Sequence, residues 1–281
     1  MKLEVRKTYK LFIGGKFPRS ESGRSFAFNS PNGDFLANVA HASRKDLRDA
    51  VVAARAAASG WSGATAYNRG QVLYRVAEML DARADQFAAE IGRETRASAT
   101  QARRQLEQAV ISLVWHAGWS DKIDSVAGSM NPVAGPFFNI TSYQPSGVIG
   151  IIPRESDGFV GLITAIAAAV VSGNTAVVLA SVNQPLSALT LGEVFATSDL
   201  PGGVVNLLTG PQAELASWLA GHEDVNALDL SGAVNAVPLI ESAAQTLKRI
   251  IRPDSELASG QSLERILALM EAKTVWHPKG Y

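Results

Sequence analysis

The chain contains no cysteine, so no thiolate can serve as a nucleophile, a disulfide partner or a metal ligand. Its four histidines, His41, His116, His222 and His277, are scattered, with no pair at metal-ligand spacing. The densest cluster of chemical groups is Arg154-Glu155-Ser156-Asp157, directly after the apolar run 148–152. Two readings stand for it: a polar site at the carboxyl end of a central strand, where ligands of α/β folds bind, or a loop that carries surface charge. Glu256 lies in the polar stretch 252–261, where nothing nearby would tune a general base. Trp115 and Trp119 are four apart and read as a packing pair on one helical face.

Composition bounds what these groups can serve. A chain of 281 residues buries a sizeable core, in one large domain or two smaller ones. Lys+Arg and Asp+Glu both total 26, so no bulk field steers the chain to nucleic acid or to anionic lipid. Zero cysteines suit a cytoplasmic setting, and MKLEVRKTYKLFIGG at the N-terminus has no apolar stretch long enough for a secretory signal. No charged residue occurs between Asp157 and Glu193, but Ser172-Gly173-Asn174-Thr175 interrupts the run. The spacing therefore predicts a buried helix, a turn and a buried strand rather than a membrane span.

The elements that would position the cluster follow from periodicity. Residues 10–41 alternate in strand fashion, with turns at Gly14-Gly15, Ser22-Gly23 and Pro31-Asn32-Gly33. Ser43, followed three residues later by Asp46, predicts a capped helix start. Apolar stripes predict one long helix over 68–95 and another over 97–119. From residue 139 the texture changes to strands near 139–146, 148–152, 175–180, 203–208 and 225–230. Helices alternate with them at 159–171, 186–197, 211–221 and 236–247. This alternation predicts an α/β fold with a doubly wound parallel sheet. A polar linker over 252–261, a helix over 262–270 and a strand over 272–276 close the chain. In that strand Thr274 and Trp276 share one face, Val275 sits on the other, and the pairing is expected to weaken or end at Pro278.

Several of these segments resemble the NAD(P)-dependent aldehyde dehydrogenase superfamily, in family order: LFIGGKF at 11–17, the helices over 43–96, PSGVIGII at 145–152, SGNTAVVL at 172–179, LPGGVVN at 200–206 and AKTVW at 272–276. The resemblance covers residues up to about 250 and resumes in the last strand. It implies a Rossmann-like cofactor domain over 1–251, with the oligomerisation strand near 139–146, and a C-terminal helix and oligomerisation strand over 262–281. Only about twenty residues separate Ile251 from Lys273, where full members of the family carry a catalytic domain with the cysteine. The chain thus resembles the cysteine-free second half of two-module members.

Carried over position by position, the resemblance places Ser156 at the oxyanion-donor asparagine and Pro253 at the general-base glutamate. Ala180 replaces the ribose-clamp lysine, and Asn183 lies near its glutamate. Of the phosphate turn only Gly232 survives, with Ala233 after it. Ile151, Ile152, Ser156, Asn183, Gly210 and Gly232 are the positions left to contact a cofactor. The expectation is a non-catalytic subunit with no cofactor, or with weakly bound NAD. It would assemble with itself or with a full-length aldehyde dehydrogenase through Ile140, Tyr143, Thr274, Val275 and Trp276, and would bind no metal, nucleic acid or membrane. The rival expectations are an NAD-binding module and an oxidoreductase acting by another mechanism.

Overall fold

A computed structural model describes residues 7–280. Residues 1–6, the start of the segment weighed as a leader, and Tyr281 lie outside the described residues. Strands β1 (Thr8–Tyr9), β2 (Ser25–Asn29) and β3 (Phe35–Ala40) form a small sheet in the order β1-β3-β2. Residues 11–17, which resemble the family's opening strand, hold the expected Gly14-Gly15 turn, closed by an Ile13–Lys16 bridge, and Phe12 bridges to Leu207.

Helix α1 (Arg44–Gly63) starts at the expected cap: Ser43 Oγ accepts from Asp46 N–H, and Asp46 Oδ2 accepts from Ser43 N–H at 2.7 Å. The single helix expected over 68–95 is two, α2 (Ala66–Asp81) and α3 (Ala84–Thr95), broken at Arg83 (φ −108°, ψ 22°). Leu80, Ala84 and Phe87 are all buried across the break, so the apolar spacing runs through it and hides it. Helix α4 (Ala99–Trp119) carries a second capping box, Ser98 with Gln101. A short α5 (Ile123–Ala127) leads to β4 (Ser129–Asn131), β5 (Phe137–Pro145) and β6 (Val148–Ile151).

The core then alternates: α6 (Gly158–Val171), β7 (Thr175–Ala180), α7 (Pro185–Phe195), β8 (Val205–Thr209), α8 (Gln212–Gly221), β9 (Ala227–Asp229), α9 (Ala236–Ala244) and β10 (Arg249–Ile251). The five strands are all parallel in the order β10-β9-β6-β7-β8. The chain winds outward from β6 to β8, returns, and winds the other way to β10, which is the doubly wound α/β sheet expected. Side-chain alternation splits the core: Ile149, Ile151, Val178 and Ala180 face α2, α4 and α6, whereas Val148, Ile152, Val177 and Leu179 face α1, α8 and α9.

Helix α6 is buried at every position from Leu162 to Val171 because the sheet lies on one side and α2 and α4 on the other. Among the described residues no helix is long and apolar enough to cross a membrane.

The stretch 252–261 is not a free linker. It holds a 3-10 turn at Glu256–Ala258, with Ala258 buried in the main core and Leu257 packed on it. Helix α10 (Leu263–Ala268) follows, then β11 (Met270–Pro278). This last strand is longer than expected at both ends. It pairs antiparallel with β5 of its own chain, giving a second small sheet in the order β11-β5-β4. Strand β4 was not expected: three residues of mixed polarity carry no readable period.

Candidate functional site

The strand order reverses between β6 and β9, and ligands of doubly wound folds bind beyond the carboxyl ends at such a point. There the chain has bonded to itself. Ile151 and Ile152 are fully buried. Ile152 N–H donates to Asp229 O, and Ile152 O accepts from Gly232 N–H, both at 2.8 Å. Ala233 N–H donates to Leu230 O at 2.9 Å. Gln212 clamps the same turn, donating through Nε2 to Gly232 O at 3.0 Å and accepting through Oε1 from Val234 N–H at 3.1 Å. Three backbone donors of the turn, on Gly232, Ala233 and Val234, are therefore already used within the chain.

Over this turn lies a buried ion pair. Arg265 Nη2 of α10 donates to Asp229 Oδ2 at 2.7 Å, with side-chain exposures of 3% and 0%. Asp229 Oδ1 accepts from Ser231 N–H at 3.0 Å. Arg154, after β6, donates to Pro253 O, just beyond β10.

Between β6 and β7 the same closure recurs. The Glu155 carboxylate accepts from Ser181 Oγ and from Asn183 Nδ2, the latter at 3.1 and 3.2 Å. Ser156 is exposed, and its hydroxyl donates to Asp157 Oδ1 at 3.1 Å. The cavity left among Pro153, Glu155, Phe159, Gln184 and Ser187 measures about 20 Å³, room for roughly one water molecule.

Of the positions expected at the site, the structure gathers Ile151, Ile152 and Gly232 at the reversal and Asn183 with Glu155 beside it. Ser156 and Pro253 lie on its rim. Gly210 stands apart at the end of β8, against Leu215 and His41. Ile140 and Tyr143 on β5, and Thr274, Val275 and Trp276 on β11, lie in the second small sheet. Among the described residues no cluster of three His, Asp or Glu side chains could hold a metal.

Sequence reasoning missed Asp229, Arg265 and Glu94. The signal for the first was present: a lone acid in the apolar run Ala227-Leu228-Asp229-Leu230 needs a buried cation. Glu94 of α3 reaches the first turn of α7, where it accepts from Ser187 Oγ at 2.7 Å and from the N–H groups of Leu186 and Ser187. Burial pushes its carboxyl up to about 7, although these hydrogen bonds favour the ionised form. Neighbouring Glu90, also raised by burial, accepts from Tyr9 Oη at 2.8 Å. His116 is fully buried with Nδ1 2.7 Å from Ser112 O, and burial lowers its pKa to about 4.

A folded-state pKa above the ordinary carboxyl value means that stability is greatest when Glu94 is protonated and falls as pH rises through 7. The stability difference between the native chain and a Glu94→Gln variant is expected to shift against the native chain between pH 5 and pH 8. The shift should be on the order of 3 kcal/mol. Urea unfolding of both proteins across that range measures it, and parallel pH curves would refute it.

The sequence profile of the Aldehyde dehydrogenase family matches residues 17–260. The chain belongs to the aldehyde dehydrogenase family. It is 33% identical over 257 residues to retinal dehydrogenase 2 of Gallus gallus, covering 89% of this chain and 49% of that protein. It is 30% identical over 240 residues to alpha-ketoglutaric semialdehyde dehydrogenase of Bacillus subtilis (strain 168), covering 84% and 49%. Among solved structures, the NAD+ complex of aldehyde dehydrogenase from Bacillus cereus superposes with a TM-score of 0.81 at 25% identity, over 87% of this chain and 50% of that one.

The chain spans about half the length of the relatives it matches. Its sheet is the Rossmann-like cofactor domain of the family. The residues that line the crevice do not fit a dinucleotide as they stand. Three turn donors are spent, a carboxylate and an amide occupy each other beside β7, and the cavity between β6 and β7 is the size of one water.

Proposed function

We propose that this chain is a non-catalytic aldehyde dehydrogenase-like subunit that works by assembly, with itself or with a full-length aldehyde dehydrogenase. The observation that carries the reading is the self-satisfied crevice at the sheet reversal. Gly232 and Val234 donate to the chain itself, and Asn183 is held by Glu155. The sequence adds that there is no cysteine to form a thiohemiacetal. Pro253, at the position the family resemblance gives to the general base, has no side-chain group to take a proton. The β11-β5-β4 sheet supports the second half of the reading: it stands off the core with Phe138, Ile140, Val275 and Trp276 exposed.

Two measurements test it. Calorimetric titration of the purified chain with NAD should show no binding in the micromolar range, since each missing charged contact costs roughly tenfold. NAD reduction with an aldehyde panel should stay at the rate of buffer. A low-micromolar dissociation constant, or turnover that a substitution in the crevice abolishes, would overturn the non-catalytic reading. Native mass measurement after affinity purification from the cell identifies what it assembles with.

A further inference from the structure

We infer that Asn32 is a site of spontaneous covalent modification: its side chain cyclises onto the nitrogen of Gly33, loses ammonia and reopens as aspartate or isoaspartate. Asn32 is the one asparagine in the chain that is followed by glycine. A glycine nitrogen is unshielded by any Cβ, and its backbone reaches conformations closed to other residues.

The turn between β2 and β3 leaves the reacting groups open. Residues 31–34 are all exposed. The Asn32 side chain makes no hydrogen bond among the described residues. Gly33 stands at φ 92°, and a Cβ built on it would meet nothing within 4 Å, so no neighbour crowds the ring as it closes. The turn is held mainly through its first half. Ser30 Oγ accepts from Asn32 N–H and from Asp34 N–H, each at 3.2 Å, and Arg96 of the α3–α4 corner donates to Pro31 O. One bond restrains the nucleophile itself, from Gly33 N–H to Ser30 O at 2.8 Å. A bond at an exposed hairpin tip opens at small cost.

Other asparagines lack this freedom. Asn29 is exposed, but the nitrogen that would attack it, on Ser30, donates to Asp34 O at 2.7 Å across the base of the hairpin. Asn38 lies in β3, the middle strand of its sheet, ahead of the buried and β-branched Val39. Asn174 and Asn206 are buried, and the Nδ2 of each donates to two partners.

The reaction needs only water. The Gly33 nitrogen bonds to Asn32 Cγ, the Cγ–Nδ2 bond breaks, and the proton of that nitrogen leaves with the amide as ammonia. Water then opens the cyclic imide. Cleavage at Cγ gives aspartate. Cleavage at the α-carbonyl gives isoaspartate, whose backbone runs through Cβ and is one atom longer. Either product turns a neutral amide into a carboxylate. The formal net charge of the chain is zero, so ion exchange separates the product from its parent.

Ageing the full chain for several weeks at physiological temperature and neutral pH, in oxygen-labelled water, tests this. Trypsin then releases residues 25–44, which hold Asn29, Asn32 and Asn38. Fragmentation should place the amide-to-acid mass gain, with one labelled oxygen, on Asn32, formed roughly tenfold faster than at Asn29 or Asn38. An isoaspartyl carboxyl methyltransferase with a labelled methyl donor should label the aged chain and leave an equally aged Asn32→Ser variant blank. The position is exposed, so the variant keeps the fold. An aged chain whose Asn32 stays an amide while the free 25–44 peptide converts would show that the turn bonds protect it, and overturns the inference. Conversion shared evenly among the three asparagines, or methyl label undiminished in Asn32→Ser, overturns it too.

Discussion

Replacing Asp229 with alanine is expected to destabilise the chain by about 3–5 kcal/mol, the cost of leaving a buried cation without its partner. Arg265 is 2% exposed and its Nε already lacks a hydrogen-bond acceptor among the described residues. Its charge is held almost wholly by Asp229, at 2.7 Å, with a weak contact to Gly260 O at 3.5 Å. The pair fastens α10 over β9 and so joins the C-terminal segment to the sheet. The double variant Asp229→Ala/Arg265→Met should recover much of the loss, since an apolar replacement of both partners is often neutral. Chemical denaturation of the three variants decides it. A double variant as unstable as the single would show that packing, and not the uncompensated charge, is at stake.

The second large effect is expected at Gly232. A Cβ there would stand 2.0 Å from Pro153 O and 2.4 Å from Pro153 C, both backbone atoms that cannot swing aside. Gly232→Ala must therefore push the turn away from β6 and break the Gly232–Ile152 hydrogen bond at 2.8 Å. Overpacking of this kind costs about 1–3 kcal/mol, and with the lost bond about 3 kcal/mol or more in sum. The neighbouring Val234→Ala, 90% exposed, should change stability by under about 0.5 kcal/mol. A tolerated Gly232→Ala would mean that the turn is loose and able to open. In this chain the glycine is explained by the close approach of two strand ends and needs no ligand.

Much of the architecture was legible because one principle ruled each element. Apolar runs bounded by Gly-Asn and Pro-Gly marked β7 and β8 and the helices between them, and Ser43 with Asp46 marked α1. The break at Arg83 was not legible, because the core-facing stripe continues through it. Strand β4 was too short to show a period. The site was legible mainly as loss: the absence of cysteine is a fact of composition, and the replacement of several family positions was an expectation carried by the resemblance. What replaced them was not legible. Glu155 with Ser181 and Asn183 is 26–28 residues apart in sequence, and Asp229 with Arg265 is 36 apart. Only the fold brings such pairs together. The second small sheet lay between these cases: β5 and β11 were readable singly, but the pairing of β11 with β5 of the same chain joins residues too distant for local pattern to predict.

That distance also sets a schedule for synthesis. Thr141 and Thr274, hydrogen-bonded across the sheet, are 133 residues apart. A ribosome adding about 5–20 residues per second needs roughly 7–27 s to deliver the second after the first. Through that interval β5 emerges with Phe137, Phe138 and Ile140 and no β11 to lie beside it, while the sheet between them has most of its strands in hand. The nascent chain thus carries an aromatic strand paired only with the short β4 on one edge, for longer than most domains take to fold. Ribosome-bound chains stopped before residue 270 should be the ones that hold chaperones, and their release should follow the last strand.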